Sequence, residues 1–191
     1  VLGTANVMSA ATLADGVTII ECAACEPEVV DLAKMLNAMG ARVSGAGSPR
    51  ITIEGVDALK GVDHTVIPDR IEAGTYMCAA LMTNGDITLD NCPADALMAH
   101  IDRMQHAGAH FVIDEKQDQM RTTVRVTGAG SRGIQPIEIT TQPHPGFPTD
   151  LQAQMMAVLT LADGNSVITE RIYPERFLHV AELSRMGAQL F

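Results

Sequence analysis

Aligned against itself, the chain repeats one phrase three times, and no other feature restricts its fold so strongly. The first copy reads Thr12-Leu-Ala-Asp-Gly16, a β-branched stretch Val17 to Ile20, a helical stretch from Glu26, then Met39-Gly40-Ala41. The second reads Leu81-Met-Thr-Asn-Gly85, Ile87 to Leu89, a helical stretch from Ala94, then Ala107-Gly108-Ala109. The third reads Thr160-Leu-Ala-Asp-Gly164, Ser166 to Thr169, a helical stretch from Pro174, then Met186-Gly187-Ala188. The spacing from Gly16 to Gly40 recurs almost unchanged from Gly85 to Gly108 and from Gly164 to Gly187.

Each copy has one physical reading. A helix rich in Ala, Met and Leu ends at the first glycine, which enters the left-handed region without a Cβ penalty. A short β-branched strand follows. A second helix, amphipathic in pattern, comes next, with Val29, Leu32, Ala33 and Leu36 on one face of the first copy, and ends at the second glycine. The middle copy adds an opening strand, Thr65 to Pro68, and a closing hairpin of Phe111 to Asp114 with Thr122 to Val126, giving the order βαβαββ. The expectation is one α/β domain of repeats spanning about residues 1–62, 63–130 and 131–191. The first copy lacks its opening strand and the third its closing hairpin. The chain is therefore expected to be a piece of a larger protein, clipped at both ends, with bare strand edges that favour self-association.

Composition narrows the function classes. With 47% hydrophobic residues the chain can fill a core. A formal charge of −10 without any Lys/Arg cluster argues against nucleic acid or an acidic membrane surface as partner. The longest uncharged stretches, Ala73 to Gly85 and Leu151 to Ala162, fall short of the roughly 20 apolar residues that cross a bilayer, and no basic leader is visible at Val1. Cys22, Cys25, Cys78 and Cys92 are too sparse for a disulfide scaffold, which suits the cytoplasm. Cys22-Ala-Ala-Cys25 has the spacing of half a zinc site but no second pair completes it, so neither a metal nor a cofactor is expected.

Equivalent loops of a repeat fall on one face, so the segments just before the first helix of each copy are the place to look for chemistry. They read Leu2-Gly3-Thr4, Pro68-Asp69-Arg70-Ile71-Glu72, and Pro143-His-Pro-Gly-Phe-Pro-Thr149-Asp150. Three helix N-termini aimed at one place would suit a phosphate or carboxylate. The bland alternative makes Thr4, Asp69 and Thr149 or Asp150 ordinary N-caps. The prolines of the third loop stiffen its backbone beyond what a cap requires, as a precisely placed functional group needs.

The stretch Pro143-His-Pro-Gly-Phe-Pro-Thr-Asp-Leu-Gln-Ala-Gln154 closely resembles the P-H-P-x-F-P-T-D-M-Q-A-Q signature of the UDP-N-acetylglucosamine enolpyruvyl transferases, in the EPSP synthase-like family. Glu26-Pro-Glu-Val-Val-Asp31, Ile53-Glu-Gly-Val56, Ile67-Pro-Asp-Arg-Ile-Glu-Ala-Gly74 and Glu182-Leu-Ser-Arg-Met-Gly187 extend the resemblance over essentially the whole chain. It implies an inside-out α/β barrel built from three βαβαββ units, one of two such domains, with substrate between them. It also implies transfer of the enolpyruvyl group of phosphoenolpyruvate to the 3-hydroxyl of UDP-N-acetylglucosamine, with phosphate released, at the first committed step of peptidoglycan synthesis.

By position in the motif, Asp150 would face the sugar hydroxyl as general base and Thr149 would adjoin the substrate. Asp69, Arg70 and Glu72 would line the cleft, Val1, Leu2, Gly3 and Thr4 would approach the diphosphate, and Ile172 and Tyr173 would contact the sugar. A carboxylate at a helix N-terminus is stabilised in its charged form, which makes it a weak base, so Asp150 should orient the hydroxyl and accept its proton late. Departures are Val1-Leu2-Gly3 where the family has S-V-G/T, Tyr173 where it has Phe, and Pro174 in place of an acidic residue. The family's reactive cysteine and most of its substrate-binding arginines belong to the other domain, and none of the four cysteines here matches that nucleophile. Alone, the chain should be inactive. Two other readings stay open: a non-catalytic nucleotide-sugar-binding module, and the shikimate-pathway relative 5-enolpyruvylshikimate-3-phosphate synthase.

Overall fold

The computed structural model describes residues 1–114, 120–130 and 133–191, which fall into two compact units, Val1–Ile67 and Pro68–Phe191.

In the first unit the order is α1 (Leu2–Ala11), β1 (Val17–Glu21), α2 (Pro27–Ala38), β2 (Arg42–Ser44) and β3 (Arg50–Glu54). The strands form an antiparallel sheet in the order β1-β3-β2. Alternation in β3 turns Ile51 and Ile53 into the core, both 0% exposed, where they meet Met8 of α1 and Val29, Ala33 and Leu36 of α2. The helix face read from the sequence is thus the buried one, with Leu32 packed at its margin. Pro27 stands in the first turn of α2, where its missing N–H costs nothing.

The second unit opens with α3 (Arg70–Met82), β4 (Asp86–Cys92), a short 3₁₀ helix (Ala94–Leu97), α4 (Met98–His106), β5 (His110–Ile113) and β6 (Thr122–Thr127). Its sheet has the order β4-β6-β5, the same arrangement as β1-β3-β2, and the expected hairpin pairs Phe111 with Val126. An equivalent bond lies within each unit: the Gly55 N–H donates to the Gly16 carbonyl at 2.9 Å in the first, and the Gly128 N–H to the Gly85 carbonyl at 2.8 Å in the second. Beyond it come β7 (Glu138–Thr140), a 3₁₀ turn (Thr149–Leu151), α5 (Gln152–Leu159), β8 (Val167–Thr169) and α6 (Leu178–Arg185). β7 and β8 pair in parallel, which requires a crossover, and α5 is that crossover. The core of this unit runs from Met77 and Leu81 of α3 through Val124 and Val126 to Leu151, Met155 and Val158.

The second glycine of every copy acts as read. Gly40, Gly108 and Gly187 have φ of 107°, 110° and 100°. The N–H after each reaches back to the carbonyl of Leu36, Met104 and Leu183, at 3.0, 2.9 and 3.1 Å, while the glycine's own N–H bonds the next carbonyl along the helix. This is the same left-handed C-terminal motif three times over.

Four expectations need correction. Thr65 to Pro68 forms no strand, because Pro68 has no N–H for a ladder and Asp69 already turns the chain into α3. The first glycine does not end its helix: α1 and α5 stop at Ala11 and Leu159, and turns carry the chain on to Gly16 and Gly164. In the middle copy Asn84 (φ 51°), not Gly85, takes the left-handed position after α3, since asparagine tolerates it. The helix expected from Pro174 begins only at Leu178, because the Arg176 N–H bonds the Tyr173 carbonyl and closes a separate turn first. Among the described residues, no helix is long and apolar enough to cross a membrane.

Candidate functional site

The proline-rich loop leads from β7 into the 3₁₀ turn that carries Thr149 and Asp150. It folds back on itself: the Gly146 N–H donates to the Pro143 carbonyl and the Gln142 N–H to the Phe147 carbonyl, with Thr141 bridged to Phe147. Neither Thr149 nor Asp150 caps a helix; Pro148 stands at the cap and no side chain accepts there. The bland reading therefore fails at this loop.

Asp150 is instead paired with a cation. Arg176 Nη1 donates to Asp150 Oδ1 at 2.7 Å and to Thr149 Oγ1 at 3.1 Å. The guanidinium lies 5.6 Å from the centre of the Tyr173 ring, a cation–π distance. Gln152, 1% exposed, donates from Nε2 to the Arg176 carbonyl at 3.3 Å, so the backbone of this turn is held as well. Asp150, Tyr173, Pro174, Glu175 and Arg176 line an open groove of ≈ 690 Å³. The pair is partly exposed, its side chains 50% and 42% accessible, which leaves the carboxylate reachable by a ligand.

Behind the groove, Glu170 gathers three segments. Its Oε1 accepts from Thr141 Oγ1 at 2.7 Å and from the N–H groups of Ile172 and Tyr173 at 2.8 and 3.0 Å; its Oε2 accepts from Thr149 Oγ1 at 2.9 Å. Burial pushes the Glu170 carboxyl up, but the hydrogen bonds from Thr141, Tyr173, Ile172 and Thr149 outweigh it, so its pKa lies below the ordinary value. Thr149, Asp150, Ile172 and Tyr173, expected together from sequence, are in fact brought together here.

At the start of α3, Asp69 is the N-cap, accepting from the N–H groups of Ile71 at 2.8 Å and Glu72 at 3.2 Å, so for this residue the bland reading holds. Glu72 is exposed in the first turn. Arg70, expected to line the cleft, is 7% exposed. The start of α3 lies beside the Asp150 turn because α3 packs against it and α5, and Gly74 makes room: a Cβ there would come within 2.5 Å of Leu151 Cδ1.

Val1, Leu2, Gly3 and Thr4 begin α1 in the first unit. Val1 and Leu2 are exposed. Thr4 is not a cap: it lies inside the helix, and its Oγ1 accepts the Ala24 N–H at 3.0 Å, fastening α1 to the segment after β1.

The residues that sequence reading missed are Arg176 and Glu170. Both flank the Ile172-Tyr173 pair that the motif had marked, but nothing in a run of charged residues tells which one turns inward.

Comparison with known proteins gives the family. The family model described as EPSP synthase (3-phosphoshikimate 1-carboxyvinyltransferase) matches residues 1–190. A UDP-N-acetylglucosamine 1-carboxyvinyltransferase of Magnetococcus marinus is 53% identical over 190 residues, covering 100% of this chain and 44% of that protein. One from Chelativorans sp. is 54% identical over 183 residues, covering 96% of this chain and 41% of that protein. The chain thus spans about two fifths of the length of these relatives. Among solved structures, the enolpyruvyl transferase NikO from Streptomyces tendae superposes with a TM-score of 0.78 at 23% identity, over 93% of this chain and 41% of that one. EPSP synthase from Acinetobacter baumannii does so with a TM-score of 0.65 at 21% identity, over 95% and 41%. A match to the family model along nearly every residue, with the same fold in solved members, means that this chain belongs to the EPSP synthase family of enolpyruvyl transferases.

Proposed function

We propose that the protein carrying this chain transfers the enolpyruvyl group of phosphoenolpyruvate to the 3-hydroxyl of UDP-N-acetylglucosamine, and that Asp150 receives the hydroxyl proton. The observation that carries the reading is the Asp150–Arg176 pair at the mouth of an open groove, in a chain half identical to enzymes named UDP-N-acetylglucosamine 1-carboxyvinyltransferase. Arg176 occupies Oδ1 of Asp150 and so leaves Oδ2 as the acceptor for a sugar hydroxyl. A sugar hydroxyl is a very weak acid, so its proton moves to Asp150 only as the new C–O bond forms and phosphate departs. Ile172 and Tyr173 hold the sugar from the side, Thr149 adjoins it, and Asp69 and Glu72 edge the site from α3. Val1 to Thr4 serve the diphosphate.

Both substrates are anions, whereas this chain carries −10 and the cation in its groove is already paired. The remaining countercharge therefore belongs to a second domain, the partner of the domain formed by residues 1–62, 63–130 and 131–191. A nucleotide sugar and phosphoenolpyruvate place the reaction in the cytoplasm, at the start of peptidoglycan synthesis.

The test is phosphate release by the full-length protein from phosphoenolpyruvate with UDP-N-acetylglucosamine, and separately with shikimate 3-phosphate. Release with the nucleotide sugar, lowered about 100-fold or more by Asp150→Ala, is expected. Release only with shikimate 3-phosphate assigns the other substrate, and wild-type activity in Asp150→Ala removes the carboxylate from the mechanism.

A further inference from the structure

We infer that Glu170 is the positioning residue of this site, setting the direction of the hydrogen bonds that hold Arg176 against Asp150. The inference rests on the function proposed above and adds to it a residue that touches no substrate.

The Thr149 hydroxyl has one hydrogen, and Glu170 Oε2 takes it at 2.9 Å. With its hydrogen committed, Thr149 Oγ1 can only accept on its other side, and Arg176 Nη1 donates there at 3.1 Å. The same Nη1 donates to Asp150 at 2.7 Å. Donation therefore runs outward from Arg176, to Asp150 on one side and through Thr149 to Glu170 on the other, ending at Glu170 on a group that accepts and never donates while ionised. Were the end group a donor, the Thr149 hydrogen would lose this acceptor and turn elsewhere, and the hydroxyl would no longer be held in the orientation in which its oxygen meets Arg176.

Glu170 does more than close its own turn. Bonds to the Ile172 and Tyr173 N–H groups would suffice for that, yet the same carboxylate also reaches Thr141 and Thr149, far away in sequence. Thr141 is 0% exposed and in turn accepts the Arg171 N–H at 2.8 Å. The end of β7, the turn bearing Asp150 and the Ile172–Tyr173 segment thus share one anchor, and none can shift without loosening the others.

The experiment compares Glu170→Gln, Thr149→Val and the double variant in the full-length protein, by phosphate release with phosphoenolpyruvate and UDP-N-acetylglucosamine. Gln keeps the shape and one acceptor oxygen but presents an NH₂ toward Thr149. We expect Glu170→Gln to lower kcat/KM at least about tenfold with an unfolding midpoint within a few degrees of wild type. The double variant should be no worse than Thr149→Val alone, within about twofold, because two residues acting through one path do not add. Wild-type kinetics in Glu170→Gln, or losses that multiply in the double variant, overturn the inference and leave the proposed function standing. A wild-type protein with no turnover overturns the proposed function, and this inference with it.

Discussion

At Asp150 the carboxylate is oriented by a guanidinium rather than by the helix end it precedes, so Arg176 should matter to rate more than to stability. A half-exposed ion pair contributes only about 0–1 kcal/mol to folding. Arg176→Met is therefore expected to lower kcat/KM roughly 10- to 100-fold while the thermal midpoint moves by only a few degrees, measured by phosphate release and calorimetry on one preparation. His100 makes a prediction of the opposite kind. It is 0% exposed, its Nε2 lies 3.8 Å from Cys78 Sγ, and its ring packs on Phe147 at 5.6 Å. Burial pulls its pKa down from 6.5 to about 4, only partly opposed by the Gly74 carbonyl, while burial pushes the Cys78 thiol up to about 12. Between these two values for His100 the unfolded chain binds the proton and the folded one does not. The stability from keeping His100 neutral is thus complete above pH 6.5 and lost as pH falls toward 4, by on the order of 3 kcal/mol. Urea unfolding at pH 7 and pH 4.5 should show this loss in wild type and much less of it in His100→Leu; equal pH dependence in both would exclude His100 as its source.

Among the elements, the three C-terminal glycines offer an internal comparison. Gly40 and Gly108 share the motif and nearly the same φ, yet a Cβ at Gly40 meets nothing within 4 Å, whereas one at Gly108 comes 3.0 Å from Ala129 Cβ. Gly40→Ala should cost about 1–2 kcal/mol, the backbone penalty alone, and Gly108→Ala more, read by chemical denaturation. Gly74 is different in kind, for it sits within α3 and its lack of a side chain lets the Asp150 turn approach. Gly74→Ala would press on Leu151, the neighbour of Asp150, and is expected to reduce kcat in phosphate-release assays even though alanine is the better helix former. The repeats, the Val29–Leu36 face and the Phe111–Val126 hairpin were legible because period and turn chemistry are local properties. The missing strand at Thr65–Pro68 and the late start of α6 were not, because ladder partners and the Arg176 turn are decided by neighbours distant in sequence.

Over the whole molecule, separate cores predict separate responses. Ile53 is 0% exposed in the core of Val1–Ile67, and Val126 is 0% exposed in that of Pro68–Phe191. Ile53→Ala, a loss of about 2–5 kcal/mol, should speed amide exchange across β1, β2 and β3 and leave β4 and β6 protected; uniform acceleration would mean that the units unfold as one. By itself the sequence determined the repeat, the α/β class, the family and the position of Thr149, Asp150, Ile172 and Tyr173, because motif and periodicity are written along the chain. Only the tertiary structure decided that Asp69 is a cap, that Arg70 is buried, that Arg176 pairs with Asp150 and that Glu170 accepts from Thr141 and Thr149. Those outcomes depend on which groups from remote segments meet, and on hydrogen-bond direction and burial, which no linear pattern of residue types contains.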